Sequence, residues 1–534
     1  ALRAAPAYSA MDFATRDEYR KQVELLSRGS GRSEIEVARE AVLLARNAAQ
    51  ERLRSLSPAV ESDSSESEPR PAGAPERAEE DPGYYLVSKG RREFERRLGF
   101  RVHLRLRLQR AYRAHAIPVY LGGIAFLTAL QLSSLLYIAW SAGAEAWILV
   151  LLAVLGLVPA SDIAVSLVHR LIAALLPPTR LPKLELAQGV PPELRTVVAV
   201  PTLLTNHADI EEQLERLEVH YLANPKGHLH FALLTAWPDA SCERMPGDEE
   251  LVAALADGIE RLNSRYEGPP AGGERFLLLH RRRLWNEKDG KWIGWERKRG
   301  KLHELNRLLR GAKDTTFIRI RGRAPEGPER VRYVITLDAD TRLPKGTAYR
   351  LVGAMAHPLN RPRFDPRKVR VVEGFAVMQP RITPSLPTGP GSTIYQRIVS
   401  GRGGVDPYAA AVSDVYQDLF GEGSYTGKGI YDVDAFEAAL AAEAPPLARV
   451  DAVEFRPQPL EVLDEVLLAL DDGDFGALET QGRDGIGRSI GLVEVEERAG
   501  RLEIELFALR SLGQGAAVVG QRQPQRRQQP PRTM

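Results

Sequence analysis

Tyr333 to Lys345 reads YVITLDADTRLPK, an apolar and β-branched run that ends in two aspartates one residue apart, Asp338 and Asp340. A buried strand of this pattern delivers both carboxylates to its exposed carboxyl end. Hard cations such as Mg²⁺ and Mn²⁺ take oxygen ligands and share their coordination between one or two carboxylates and substrate phosphates. The pair therefore suits a divalent metal carrying a diphosphate, as in a nucleotide-sugar site. Two aspartates after a strand also make an ordinary solvated turn, so the neighbouring motifs decide.

Asp239 follows another apolar run in LLTAWPDA, either as a nucleotide contact or as a turn residue. Trp295 to Asn306, WERKRGKLHELN, opens a helix with Arg297, Lys298, Arg299 and Lys301, where cations and early backbone N–H groups meet phosphate. Gln379 and Arg381, in QPRI, end a strand beyond the aspartates. Gly421 to Asp432 reads GEGSYTGKGIYD, but five residues separate Gly421 from Gly427, and Gly429 stands where a P-loop needs its metal-binding hydroxyl. It reads as a glycine-rich site loop or a structural turn, with Glu422, Tyr425 and Lys428 as candidates for sugar contact, placed with Gln379 and Arg381 on the acceptor side.

The elements that must position these residues follow from the hydrophobic pattern. Strands are expected at Thr196–Val200, His228–Leu234, Phe276–Leu279, Val331–Leu337 and Val369–Gln379. Helices are expected at Ile210–Leu222, Glu249–Leu262 and Lys301–Leu309. Their alternation implies a mostly parallel sheet covered on both faces, with ligand at the carboxyl ends of the strands.

Upstream, residues 116–144 carry no charge and exceed the roughly 20 residues a helix needs to cross a bilayer. A second apolar run from Ala146 to Val168 is interrupted only by Asp162, so residues 116–168 read as a transmembrane hairpin. Nine arginines between Arg91 and Arg113 precede the first run, Arg170, Arg180 and Lys183 follow the second, and the connecting SAGAE has no basic residue. Both long flanks are then cytoplasmic, and the basic segment 84–115 faces anionic lipid. Residues 1–57 read as a helical segment with two helices parted by GSGRS, and 58–83, rich in Ser, Glu and Pro, as a disordered linker. The 72 basic and 70 acidic residues of this 534-residue chain nearly cancel, which excludes nucleic-acid binding by bulk charge. Cys242 is the only cysteine, which rules out an intrachain disulfide and a cysteine-based zinc cluster.

WERKRGKLHELNRLLRG, ITLDADTRLP, QPRI and VSDVYQDLFGEGSYTGKGIYDVDAFEAAL together resemble the membrane glucosyltransferase domain of bacterial cyclic β-1,2-glucan synthases. The resemblance extends from Asp12 to Leu440, apart from the acidic linker. It implies a GT-A type α/β fold over residues 190–440, UDP-glucose as donor, a divalent metal on Asp338 and Asp340, and inversion at the anomeric carbon. Donor contacts fall to Asp239, Lys298, Arg299 and Lys301. It also implies a growing β-1,2-glucan as acceptor and a multi-pass protein of the bacterial inner membrane with a cytoplasmic catalytic domain. Family members prime on their own tyrosine, for which Tyr266, in the glycine- and proline-rich NSRYEGPPAGGE, is the candidate and Tyr425 its rival.

The family continues after VDAFEAAL with a Ser-His-Asp segment expected to hold the catalytic base, and then a Gln-x-x-Arg-Trp motif. Residues 441–534 carry neither and end in QRQPQRRQQPPRTM, so a truncated or frame-shifted product is expected and the catalytic base is unassigned. Two alternatives stand beside the enzyme. One is an anchored remnant that binds the nucleotide sugar without chemistry; the other is a polysaccharide synthase of the broader cellulose and chitin type.

Overall fold

The computed structural model describes residues 1–56, 77–175, 180–270, 272–368, 370–380 and 427–443. The chain begins with a small helical module of α1 (Pro6–Ala10), α2 (Phe13–Ser30), α3 (Glu34–Leu56), α4 (Pro82–Val87) and α5 (Arg91–Leu98). Local chemistry sets its boundaries. Asp12 caps α2 by accepting from Thr15 N at 2.8 Å, and the helix ends at Gly31 in the left-handed region. Ser33 and Glu36 cap α3 reciprocally. Tyr19, Leu26, Val37, Ala41, Leu86 and Phe94 form a buried core of their own.

Order reaches further into the acidic stretch than its composition suggests. Ala78–Glu80 forms a short 3₁₀ turn, and buried Asp81 accepts from the Tyr19 hydroxyl and from Gly83 N. A single well-partnered carboxylate anchors what the low apolar content of its surroundings could not.

Helix α6 (Leu104–Ala114) leads into α7 (Ala116–Ser141) and α8 (Ala146–Leu175), a pair long and apolar enough to cross a membrane. Tyr120 and His169 stack and share a 2.7 Å hydrogen bond between the two helices.

Residues 180–186 then thread between the helical module and the α/β unit. Asp12 N donates to Lys183 O, Glu185 N to Ala10 O, and Leu184 N to Gly353 O. A side chain on Gly353 would strike Leu184 O, so glycine is required for this close passage.

The α/β unit contains β1 (Thr196–Leu203), α9 (His207–Ala223), β2 (Leu229–Ala236), α10 (Asp248–Arg265), β3 (Phe276–Arg281), β4 (Leu284–Asn286), β5 (Lys291–Ile293) and α11 (Arg297–Leu309). It continues with β6 (Tyr333–Thr336), α12 (Thr347–Ala356), β7 (Arg363–Asp365), β8 (Arg370–Glu373), β9 (Val377–Met378), β10 (Gly429–Asp432) and α13 (Val433–Glu443). One six-stranded sheet runs β3-β2-β1-β6-β10-β9. The first four strands are mutually parallel, and β10 is antiparallel to both neighbours.

Alternation along β1 splits its side chains between two cores. Val198 and Val200 pack with α9, α10 and α12, while Val197 and Ala199 face Leu305 and Leu309 of α11. These strands are buried on both sides, which is why they read as continuous apolar runs.

Two expectations need correction. The strand expected over Val369–Gln379 is broken at Gly374, whose φ of 67° turns the chain. Its first part, β8, pairs with β7 in a separate hairpin, and only β9 joins the main sheet. The second half of GEGSYTGKGIYD is not loop throughout, because Gly429–Asp432 forms β10, with no residue exposed.

A candidate active site at the carboxyl edge

Strand β6 ends at Thr336, and the next two residues carry the chain to Asp338 at the edge where β1, β2 and β3 also end. The turn Asp338–Thr341 closes through Thr341 N on Asp338 O at 3.0 Å. Arg216 of α9 reaches across 123 residues to donate to Ala339 O at 2.7 Å, so the backbone between the two aspartates is fixed from outside the motif. The far end of this loop is tied to α9 as well, with Ala348 N donating to Asn224 Oδ1 and Gly346 N to Ala223 O.

Asp338 lies between two lysines. The Lys298 ammonium donates to one carboxylate oxygen, and the Lys428 ammonium to the other at 2.8 Å. Burial raises the Asp338 carboxyl, but the two lysines outweigh it and hold the group below its ordinary value. Lys298 also donates to Gly427 O at 2.7 Å, and Thr336 Oγ1 donates to the same carbonyl. Gly427 has φ of 81°, and a side chain there would meet the Lys298 ammonium. The antiparallel β10 thus delivers Lys428 to the end of β6, although the two residues stand 90 positions apart. Lys428, expected on the acceptor side, shares the carboxylate with the donor-side Lys298.

The amino end of α11 positions Lys298. Its preceding residues Glu296 and Arg297 both have positive φ, 45° and 40°, an uncommon and strained pairing for residues with side chains. A buried network beneath holds that conformation. Fully buried Arg281 donates to Thr316 Oγ1 and Trp295 O, and pairs with Glu304 at 2.6 Å. Gly300 fits against Trp295 O and Arg281, where a side chain would collide with backbone.

The remaining expected residues fall in different places. Asp239 follows β2 and meets Arg297 at 3.4 Å, which puts it on the same edge. Arg299 points outward and pairs with Glu296. Lys301 is buried and donates to Thr202 O at the end of β1, where burial, with Arg281 nearby, lowers its ammonium to about 7. Asp340 is exposed and accepts from Thr341 Oγ1. Gln379 directly follows β9, against Gly429. Arg381, Glu422 and Tyr425 lie outside the described residues.

Tyr266 is not brought to Asp338. It follows α10 at the opposite edge, its ring packed on Tyr221 and Phe276 and its hydroxyl donating to Glu218 at 2.6 Å. Phe276 opens β3, three strands away from β6, a lateral separation of roughly 14 Å at ordinary strand spacing.

Sequence reasoning missed Arg216, Arg281 and Glu304. Only Arg281 carries a signal, as a charged residue at the end of the apolar run FLLLHR; Arg216 and Glu304 sit in helices already rich in charge, where nothing local marks them.

For a divalent cation, the expected donors are the Asp338 carboxylate, whose two oxygens now accept from lysines, and the exposed Asp340 carboxylate. Among the described residues no group of three or more His, Cys, Asp or Glu could hold an ion alone. That donor set fits Mg²⁺ or Mn²⁺ only as a site completed by substrate phosphates. The surplus positive charge of Lys298 and Lys428 around one carboxylate favours an arriving anion.

The chain is 42% identical over 446 residues to the cyclic β-(1,2)-glucan synthase NdvB of Rhizobium meliloti (strain 1021), as the motifs led one to expect. The match covers 82% of this chain but 15% of that protein's length. No protein-family model matches the chain.

Proposed function

We propose, from this kinship and from the Lys298–Asp338–Lys428 cluster, that residues 190–440 are a glucosyltransferase unit of GT-A type. The unit uses UDP-glucose to build β-1,2-glucan. The single observation that carries the reading is a half-buried aspartate at the carboxyl end of a central parallel strand, flanked by two lysines from other elements. Asp338 and Asp340 would hold a divalent ion, which when bound lowers the charge on the departing diphosphate. Lys298 and Lys428 orient and neutralise the phosphates, and Arg216 keeps the aspartate turn in register. Asp239, after β2, and Arg297, at the start of α11, border the nucleotide side. Inversion follows if a base deprotonates the acceptor's 2-hydroxyl on the face opposite the diphosphate.

The α7–α8 pair anchors the unit in the bacterial inner membrane with both flanks cytoplasmic. A reporter active only in the periplasm is then silent when fused after Arg180 and active when inserted near Ala144; the reverse pattern inverts this topology.

The decisive experiment measures radiolabelled glucose transfer from UDP-glucose by membranes that contain the full chain, with linkage analysis of the product. A β-1,2 product supports the reading. A different linkage moves the chain to another polysaccharide synthase. Binding without transfer leaves a donor-binding unit only.

A further inference from the structure

Three tryptophans lie between β3 and α11, and only one of them has a visible structural task. Trp295 lies under the Arg281 guanidinium, 5.9 Å from ring centre, and edge-on to His303. Trp285 and Trp292 form a cross-strand pair in the β4–β5 hairpin, with centroids 5.8 Å apart and planes at 61°. Neither belongs to the clusters that fill the two faces of the sheet. Trp285 is 50% exposed, and Trp292 is half-buried. Leaving so large an apolar ring in water is unfavourable unless something covers it.

The hairpin's place on the fold narrows what that something is. It leaves the carboxyl end of β3 and returns to the amino end of α11, so both its stems stand at the edge that holds Asp338. Trp292 exchanges two backbone hydrogen bonds with Ala240, at 2.8 and 2.9 Å. The next residue back is Asp239, whose carboxylate meets Arg297, and Lys298 follows. The hairpin is therefore stitched to the candidate site through one continuous run of contacts. Asp239 and the largely exposed Arg297 offer a carboxylate and a guanidinium on the chain that flanks the hairpin's contact with Ala240.

A β-linked glucosyl ring has equatorial hydroxyls around its rim and axial C–H bonds on its faces. One such face stacks on indole while the rim bonds to planar polar groups, the combination found here. A phosphate or a metal would have no use for the indole pair.

We propose that the β4–β5 hairpin is an acceptor platform, on which Trp285, backed by Trp292, stacks the sugar rings of a glucan next to the donor site. The proposal rests on the glucosyltransferase reading of that edge.

The test titrates the full chain in detergent with a soluble β-1,2-linked glucooligosaccharide, and separately with UDP-glucose and Mn²⁺. Trp285→Ala is expected to weaken the oligosaccharide about 5- to 10-fold, the range expected for losing one aromatic contact. Trp285→Tyr retains most of the affinity, and UDP-glucose binding stays unchanged in both. Undiminished oligosaccharide binding by Trp285→Ala overturns the platform, as does a wild-type chain that binds no oligosaccharide. Equal weakening of both ligands in Trp285→Tyr, the variant that keeps the hairpin's aromatic packing, also overturns it. Should UDP-glucose fail to bind the wild type, the donor reading falls, while the oligosaccharide arm still judges the platform.

Discussion

At the carboxyl edge of the sheet, Lys298 and Lys428 direct their ammonium groups at one half-buried carboxylate; at the amino edge, Arg275 directs its guanidinium at four backbone carbonyls. Those carbonyls belong to Glu267, Gly227, Leu229 and Gly268, at 2.8 to 3.3 Å, and Arg275 is almost wholly buried. The difference lies in what each cation can exchange. A lysine on a solvent-accessible carboxylate can take a phosphate instead, with little change in desolvation. A guanidinium on buried carbonyls can take nothing else, because removal strands four acceptors. The first arrangement is suited to a ligand, and the second to holding the loop before β3 in place. Tyr266 belongs with the second, since its ring and hydroxyl are both engaged at that edge.

The sharpest way to break this contrast is Asp338→Asn. Loss of the carboxylate should reduce Mn²⁺-dependent UDP-glucose binding on the order of 100-fold in titration calorimetry, with Asp340→Asn affected in the same direction. Unchanged affinity in both variants would remove the aspartates from the site. Arg275→Ala probes the other edge. It should cost about 2–4 kcal/mol of stability, read as a lower unfolding midpoint in detergent, while UDP-glucose affinity per folded molecule stays the same. A binding defect without a stability defect would mean that the amino edge is not merely structural.

Lys301 gives a pH test within the carboxyl edge. Its folded-state value of about 7 lies below its ordinary 10.5, so the unfolded chain binds more protons between those values. Stability should therefore rise with pH from about 7 towards 10.5, by a few degrees in the unfolding midpoint. Lys301→Met should flatten that slope; an identical slope in the variant would assign the titration elsewhere. Tyr266→Phe carries the smallest expected effect, a slight fall in the unfolding midpoint from losing its hydrogen bond to Glu218. Mass spectrometry after incubation with UDP-glucose sharpens the same point, because hexose on Tyr266 would bring the amino edge into the chemistry and dissolve the distinction drawn above.

Wherever the physics is local, the order of residues is enough to read this protein. Apolar runs of strand length, such as TVVAV and YVITL, read as buried strands once helices alternate with them, and one charge-free run of more than 20 residues followed by a second broken only by Asp162 announces two helices long and apolar enough to cross a membrane. Asp338 and the cations of α11 were legible because a strand end and a helix start are sequence-local features. What brings them together is not. Lys428 reaches Asp338 only because β10 runs antiparallel beside β6, a pairing across some 90 residues that no spacing rule predicts. Val369–Gln379 reads as one strand because its apolar content survives the turn at Gly374, whereas its partner changes there. The glycine- and proline-rich neighbours of Tyr266 make it a priming candidate, yet α10 runs down to the edge far from the aspartates and aromatic packing holds the ring there. Composition records which groups the chain carries and whether they tolerate burial; which of them share a carboxylate depends on strand order and direction, set by the cooperative packing of both faces of the sheet.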